Sequence, residues 1–250
     1  AENFRDKPMN KPDFRMMRYP IFTTWSYFFK HINQSIVLDY AKEINEHNYT
    51  ISQLEIDDKW EVSYGDLDFD KTKFPDVSEM VNQIHNMNMR VTLWVHPFCN
   101  IDSFNFVDGT KNGYWVKDQY GLFPGFTSWW DGVPSVIIDT TNPTAVAYYT
   151  NKLNTLKQKY NIDSFKFDAG EAHWMPNNFK LHFNQSKPND HSQNYVQIAH
   201  LQNYFVEARV GHRNQKYGIF YRILDRASDW TITDGLKSVI TATLHFSLVG

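Results

Sequence analysis

Four short strand-like segments of this sequence each end in a polar side chain, and these side chains belong to Asp57, His96, Asp168 and Asp225. In barrel enzymes the carboxyl ends of the parallel strands meet at one rim, and the reactive groups lie there. Two carboxylates that face each other across a cleft can cleave a glycosidic bond, because one attacks or stabilises the anomeric carbon and the other protonates the leaving oxygen. The acids therefore predict glycoside chemistry at one end of a sheet.

The segment Ser164–Glu171 is the most informative of these places. Residues 164–167 alternate polar and aromatic side chains, which is typical of a strand, and Asp168 follows directly. Gly170 then allows a sharp turn and a close approach of another group. Taken alone, the segment fits a reactive acid and an Asp that only caps the next turn equally well.

Two other chemistries have weaker support. A metal site could use Asp57, Asp168, Glu171 and His173, but their spacing matches no hydrolase metal motif, and acids at a barrel rim also pair with Lys or Arg. We therefore expect no metal ion and no organic cofactor. An aldolase or isomerase would need a reactive Lys or a phosphate-binding loop near the later strands. The sequence has no such phosphate loop.

The composition limits the partners of the protein. Aromatic residues make up 16% of the chain, and a surplus beyond the needs of a core suits a cleft that stacks sugar rings. The net charge of −3 gives no basic footprint, so we expect no nucleic acid partner. Cys99 is the only cysteine, which excludes an internal disulfide framework and a cysteine-based metal site.

Strands and helices alternate along the chain. We predict strands at 21–25, 53–57, 91–96, 164–167, 205–209 and 217–224, and helices that begin near 35, 76, 142, 191 and 235. This order indicates parallel strands joined by right-handed crossovers. No Gly-x-Gly-x-x-Gly motif follows the first strand, which disfavours an open dinucleotide-binding sheet. We therefore predict a (β/α)8 TIM barrel that lacks its last two strands.

The chain divides into a leading segment, 1–18, and a partial catalytic barrel, 19–250. The barrel carries a long insertion at about 98–141 that is rich in Gly, Phe and Trp. A loop of this length is usually functional, and its aromatic content argues against disorder. The last residues, 243–250, continue an apolar pattern, so we expect the sequence to be part of a longer protein.

Three sequons, at Asn33, Asn48 and Asn184, are compatible with a secretory lumen. We expect the endoplasmic reticulum, the Golgi or the extracellular space. No apolar run approaches the length of a membrane span, so any membrane anchor would lie outside this chain. The oligomeric state stays open, with a homodimer as one option.

Several motifs resemble those of glycoside hydrolase family 31. Residues 166–171, Lys-Phe-Asp-Ala-Gly-Glu, are similar to its nucleophile motif, in which the strand-four Asp forms a covalent glycosyl intermediate. The family also carries an Arg after strand five, the acid/base Asp sixteen residues later, and a Trp five residues further. Arg209, Asp225 and Trp230 reproduce both spacings. The resemblance implies Asp168 as nucleophile and Asp225 as acid/base.

The resemblance also implies the groups that bind the sugar. Ile56-Asp57 resembles the second-strand Asp that holds sugar hydroxyls at the −1 subsite, and Trp130-Asp131-Gly132 resembles a Trp-x-Gly motif that precedes an Asp-x-x-Asn-Pro motif, here 139–143. The implied substrate-binding residues are Asp57, Trp130, Arg209 and Lys166, and Arg209 would keep Asp168 ionised by its charge. Structural roles stay open: a salt bridge for Asp57, a core position for Trp130, and a surface position for Arg209.

Two residues depart from the family pattern. Arg226 replaces the usual Asn after the acid/base, and Arg222 replaces the usual Trp three residues before it. Asp225 could therefore pair only with these arginines, while Asp229 donates the proton. The motifs at 166–171 and 222–226 look most like the myogenesis-regulating glycosidase group, whose members resemble α-galactosidases. The implied function is a retaining α-glycosidase, with α-glucosidase, α-xylosidase or an inactive carbohydrate-binding module as alternatives.

Overall fold

A computed structural model of the protein describes residues 6–183 and 187–249. The described residues form nine strands: β1 (Ile21–Thr23), β2 (Gln53–Ile56), β3 (Arg90–Val95), β4 (Phe98–Asn100), β5 (Thr127–Trp129), β6 (Gly132–Ile137), β7 (Ser164–Phe167), β8 (Glu207–Ala208) and β9 (Phe220–Tyr221). Six of them form one curled parallel sheet in the order β1-β2-β3-β7-β8-β9. This half-barrel confirms the predicted truncated (β/α)8 fold.

Eight α-helices occur in the described residues: α1 (Phe14–Arg18), α2 (Trp25–Phe28), α3 (Gln34–Glu46), α4 (Val77–Asn86), α5 (Phe104–Lys111), α6 (Pro143–Tyr160), α7 (Pro188–Gln202) and α8 (Ser238–Val249). Asp76 caps α4 by accepting from the backbone N–H of Glu79 at 3.0 Å, and Asn142 caps α6 ahead of Pro143. The helix predicted to begin near 35 begins at Gln34, and a cap at Ser35 is wrong. Asn33 caps it, because its Oδ1 accepts from the Ile36 N–H at 3.0 Å.

The period of two along the central strands decides which side chains face the inside of the barrel. Phe167 packs outward on Tyr195 of α7, with ring centroids 5.5 Å apart. Lys166 and Asp168 therefore point to the opposite face. The backbone N–H of Asp168 donates to the carbonyl of Val95 at 2.8 Å, so the hydrogen bonding of the strand continues to the acid itself.

The segment 98–141 contains three strands and one helix. Strands β4, β6 and β5 form a separate antiparallel sheet in that order, and α5 lies between β4 and β5 in the chain. Residues Trp130 and Asp131 form the tip of the β5–β6 hairpin. This hairpin brings the tip to the mouth of the half-barrel.

The structure differs from the sequence prediction at the end of the sheet. The strands expected at 205–209 and 217–224 are two residues long in the structure, Glu207–Ala208 and Phe220–Tyr221. For β9 the reason is its place at the edge, because it pairs only with β8 among the described residues. The face of α8 that carries Ile240 and Leu244 is exposed, because these residues are 67% and 63% accessible. In the part of the chain that the structure describes, no strand lies beyond β9 for this face to cover.

Two further observations concern the sequons and the helices. Asn33 is the helix cap described above, Asn48 is exposed after α3, and Asn184 lies outside the described residues. No helix within 6–183 and 187–249 combines the length and the apolar character that a bilayer crossing requires.

We expect Ile84→Ala to lower the free energy of unfolding of the chain by about 2–5 kcal/mol, because Ile84 is fully buried in α4 and truncation leaves a cavity. The matched control, Ile240→Ala on the exposed face of α8, should change it by less than about 0.5 kcal/mol. Urea unfolding followed by circular dichroism measures both. A control variant as unstable as Ile84→Ala would show that α8 is packed against something.

Candidate active site

A tight loop after β7 fixes Asp168 at the rim of the half-barrel. Ala169 and Gly170 both adopt left-handed backbone conformations, with φ of 57° and 90°. A Cβ atom on Gly170 would lie 2.5 Å from Cδ1 of Tyr195, so only glycine fits here. The hydroxyl of Tyr195 donates to the Asp168 carbonyl at 3.1 Å. The chain is therefore held on both sides of the acid.

Asp168 is 9% exposed, and its carboxylate is surrounded by a side chain of β3 and by two side chains that directly follow β8 and β9. Its Oδ1 lies 2.6 Å from Nη2 of Arg222 and 3.1 Å from Nη1 of Arg209, and its Oδ2 accepts from Nε1 of Trp94 at 2.8 Å. Burial alone would raise the pKa of Asp168, but the two guanidinium groups outweigh it and hold the pKa below its usual value. The carboxylate is thus ionised at neutral pH, as a nucleophile requires.

Asp225 lies beyond the end of β9, and its side chain is 73% exposed. The same two arginines reach it: Nη1 of Arg222 lies 2.8 Å from Oδ1, and Nη1 of Arg209 lies 3.2 Å from Oδ2. Asp168 and Asp225 line one cavity of about 220 Å³. The structure therefore brings the two acids to a shared pocket, with Asp168 at its base and Asp225 towards solvent.

Arg209 is oriented by Glu171, whose carboxylate binds Nε at 2.5 Å and Nη2 at 3.2 Å. Trp174 Nε1 in turn donates to Glu171 at 3.0 Å. A two-point contact of this kind fixes the plane of the guanidinium. Arg209 is thus a half-buried rim residue aimed at both acids, not a surface arginine.

Asp57 and Lys166 form a buried pair that also lines the cavity. Nζ of Lys166 lies 2.8 Å from Oδ2 of Asp57 and 3.3 Å from Oε1 of Glu55. Burial raises the pKa of Asp57 even though the Lys166 charge opposes it. The pKa of Lys166 is raised by the Glu55 and Asp57 charges, which outweigh its burial. The salt bridge foreseen as the structural alternative for Asp57 is present, and the pair still faces the pocket.

Trp130 stands at the cavity mouth and is 51% exposed, so it is not a core residue. Its φ of 49° is unusual for a large side chain and marks a strained hairpin tip. The indole Nε1 donates to Oδ2 of the buried Asp58 at 2.7 Å, and Nζ of Lys30 lies 4.2 Å from the ring centroid. These contacts hold the ring over the pocket.

Sequence reasoning gave too little weight to several residues of this pocket. Trp25, Asp58, Trp94, Trp129, Trp174 and Arg222 also line the cavity. Trp94 lies on β3 two residues before His96 and in register with Lys166, so its position in the strand could have indicated that it faces inward. Trp60 is fully buried, and its indole N–H donates to the Trp94 carbonyl at 2.8 Å. Trp230 is 71% exposed and is not among the described residues that line the cavity.

Comparison with known proteins identifies the family. The sequence model of the glycosyl hydrolases family 31 TIM-barrel domain matches residues 15–246. The chain belongs to glycosyl hydrolase family 31. The mouse (Mus musculus) myogenesis-regulating glycosidase is 38% identical over 250 residues, which are 100% of this chain and 35% of the mouse protein. The α-xylosidase XylQ of Lactiplantibacillus pentosus is 28% identical over 166 residues, 66% of this chain and 21% of that protein.

Solved family 31 structures share the fold. The Flavobacterium johnsoniae dextranase complexed with glucose superposes with a TM-score of 0.78 at 16% identity and covers 92% of this chain and 30% of its own. A sulfoquinovosidase from E. rectale in complex with an aza-sugar inhibitor gives a TM-score of 0.76 at 19% identity, covering 96% and 38%. The chain thus spans less than two fifths of each of these relatives.

Asp168→Asn tests the charge balance of this family 31 site. We expect it to lower the free energy of unfolding by about 3–5 kcal/mol near pH 7, because Arg222 and Arg209 lose a buried counter-charge. The folded-state pKa of Asp168 is lowered, so its contribution is complete above the ordinary Asp pKa of about 3.9 and disappears as pH falls through the lowered value.

Urea unfolding of parent and Asp168→Asn between pH 2.5 and 7 measures this effect. The two stability curves should converge at the acid end. Asp229→Asn is the control for an exposed carboxylate: its side chain bonds Thr231 in its own turn, so we expect a much smaller effect on stability than for Asp168→Asn, although its pKa is also lowered. A constant gap between the parent and Asp168→Asn at all pH values would contradict the assigned ionisation.

Proposed function

We propose that this chain is the catalytic barrel of a retaining α-glycosidase that hydrolyses terminal α-linked sugars, with an α-galactoside as the preferred substrate. The observation that supports the proposal most is the shared pocket: a buried, ionised carboxylate and a second, solvent-facing carboxylate lie under the same two guanidinium groups and between tryptophan rings. The family and the similarity to the mouse glycosidase support the reaction class.

In the proposed first step, an oxygen of the Asp168 carboxylate attacks C1 of the sugar. The glycosidic C–O bond breaks, and the Asp225 carboxyl gives its proton to the leaving oxygen. In the second step Asp225 removes a proton from water, the water oxygen bonds to C1, and the bond between C1 and Asp168 breaks. Two displacements at C1 return the original anomeric configuration, and both acids regain their starting protonation.

Asp225 suits the acid/base role better than Asp229. The exposed Asp229 carboxylate accepts from the backbone N–H and the hydroxyl of Thr231 at 2.8 and 2.7 Å, and these bonds lower its pKa. Asp229 is also not among the described residues that line the pocket. Asp225 borders the open side of the pocket, where a leaving group would depart.

The other residues have roles in binding. Asp57 offers carboxylate oxygens to sugar hydroxyls, and Lys166 keeps it oriented while adding a donor of its own. Arg209 reaches towards the −1 site and keeps Asp168 ionised. Trp130 supplies a flat apolar face above the ring, a contact that sugars commonly make with aromatic side chains.

A carbohydrate-binding module without turnover is the second candidate. It is favoured by one observation: both oxygens of Asp225 are occupied by arginine N–H groups, and Arg222 stands where other family 31 members have a Trp. An α-xylosidase activity is the closest enzymatic alternative, because α-xylosidases occur among the relatives. We further propose a secretory-lumen or extracellular location, supported by the exposed sequon at Asn48.

A substrate panel decides between these functions. The full-length protein is incubated with aryl α-galactoside, α-glucoside and α-xyloside, and we expect release of the aryl group fastest from the galactoside. Proton nuclear magnetic resonance of the first-formed sugar should show the α-anomer. Binding of galactose without turnover of any substrate would favour the binding module, and a β-anomer product would overturn the retaining mechanism.

The roles of the two acids predict different kinetic defects. Asp168→Asn should lower kcat/KM by about 10⁴-fold or more on every substrate, because it removes the nucleophile. Asp225→Asn should slow substrates with poor leaving groups by about 10²–10⁴-fold but affect the first step with an activated dinitrophenyl leaving group far less. Asp229→Asn is the matched control and should retain parental rates. If Asp229→Asn instead shows the leaving-group dependence, Asp229 is the acid.

A further inference from the structure

A buried carboxyl group that the proposed reaction does not use lies beneath the rim. Glu207 is on β8, two residues before Arg209, and its side chain is 5% exposed. It stands in register with Lys166 of the neighbouring strand β7, so it faces the inside of the half-barrel. An ionisable group at such a position carries a cost in stability, which an interaction must offset.

Arg222 connects this carboxyl group to the two acids. Oε1 of Glu207 lies 3.4 Å from Nε of Arg222, and this buried Nε makes no hydrogen bond among the described residues, so Glu207 is the acidic group that it faces. The two ends of the same planar guanidinium reach Asp168 at 2.6 Å through Nη2 and Asp225 at 2.8 Å through Nη1. Glu207 therefore lies against the base of the guanidinium whose two ends contact both acids.

We propose that Glu207 is a positioning residue for the reaction: it holds the Arg222 guanidinium in the plane from which Arg222 contacts Asp168 and Asp225 together. This inference rests on the proposed function for its kinetic consequences. Its structural content, the orientation of Arg222, does not depend on turnover. Without this contact the Arg222 guanidinium can rotate about the side-chain bonds of Arg222. It then no longer fixes the distance between Asp168 and Asp225.

The surroundings of Glu207 indicate that it performs this task as a neutral acid. It faces Glu55 from β2, Lys166 from β7 and Arg222 after β9. Burial first, and then the negative charge of Glu55, hold the pKa of Glu207 well above its usual value, although Lys166 and Arg222 oppose the shift. Two adjacent buried carboxyl groups avoid charge repulsion when one of them is protonated and donates a hydrogen bond to the other.

The hydrogen bonding agrees with a proton on Glu207. Oε2 of Glu55 is buried and has no other partner among the described residues, so it can accept the Glu207 hydroxyl. The remaining Glu207 oxygen is then free to face Arg222. Loss of the proton at high pH would place two carboxylates side by side and displace Glu207 from this arrangement. Activity should therefore fall on the alkaline side as Glu207 ionises.

The test compares Glu207→Leu with Glu207→Gln in the full-length protein, on the best aryl α-glycoside. Glu207→Leu removes the contact with Arg222, and we expect kcat to fall by between about tenfold and a hundredfold with KM changed by less than about threefold. Glu207→Gln resembles the neutral acid and should restore most of the lost kcat. Because the amide introduced in Glu207→Gln cannot ionise, the alkaline limb of the pH profile of kcat should move to higher pH in this variant.

Thr92→Val is the matched control for an altered buried side chain on the same sheet and should behave as the parent.

A double-mutant cycle with Arg222→Lys shows whether Glu207 acts through Arg222. In the Arg222→Lys background, Glu207→Leu should lower kcat by less than about twofold, because the guanidinium is already absent. The inference is overturned if Glu207→Leu keeps the parental kcat, if it costs as much with Lys at 222 as with Arg, or if Glu207→Gln keeps the parental alkaline limb. The last comparison stands even if Glu207→Leu does not fold.

Crystal structures separate this inference from the proposed function. In Glu207→Gln, Arg222 should still contact both acids, and in Glu207→Leu at least one contact should be lost. If the parent protein turns over no α-glycoside, the proposed function fails, while the position of Arg222 in the variants still decides the role of Glu207. An unchanged Arg222 in Glu207→Leu overturns the inference whatever the activity.

Discussion

One buried carboxylate sets the requirements for the rest of the site. Removing Asp168 from water while it stays ionised costs several kcal/mol unless cations and hydrogen-bond donors replace the solvent. Arg222, Arg209 and Trp94 supply them. Arg209 in turn pairs with Glu171, and both arginines also reach Asp225. Opposite charges therefore alternate outward from Asp168, and the residues of the rim have to be understood together.

The sequence predicted the centre of the sheet well because the physical signals there are strong. Strands β2, β3 and β7 are central and almost entirely buried, and each is followed directly by a polar residue, Asp57, His96 or Asp168, which marks where the strand ends. The two later strands, β8 and β9, were predicted too long. A hydrophobic pattern does not show how many neighbours a strand has, and β9, at the edge with β8 as its one neighbour among the described residues, keeps fewer residues in the ladder.

The sequence predicted which residues belong to the candidate site better than it predicted which of them contact each other. The spacing of Arg209 and Asp225 brought out both residues, but no sequence pattern shows that Arg222 reaches back to Asp168 across the rim. The pairing of Lys166 with Asp57 joins residues 109 positions apart, and such a contact depends on the register of non-adjacent strands. The antiparallel sheet within 98–141 was also missed, because its strands are short and interrupted by Gly and Pro.

Gly170 has a consequence for how such a site can change over time. Tyr195 fills the space where a Cβ atom would be, and the same phenol ring braces the peptide of Asp168. The loop at Ala169 and Gly170, which follows Asp168, therefore tolerates almost no change in sequence or position. The hairpin tip with Trp130, by contrast, meets solvent on one side. Substitutions that change the sugar preference are therefore easier to accommodate at the hairpin tip around Trp130, while Asp168 keeps its position.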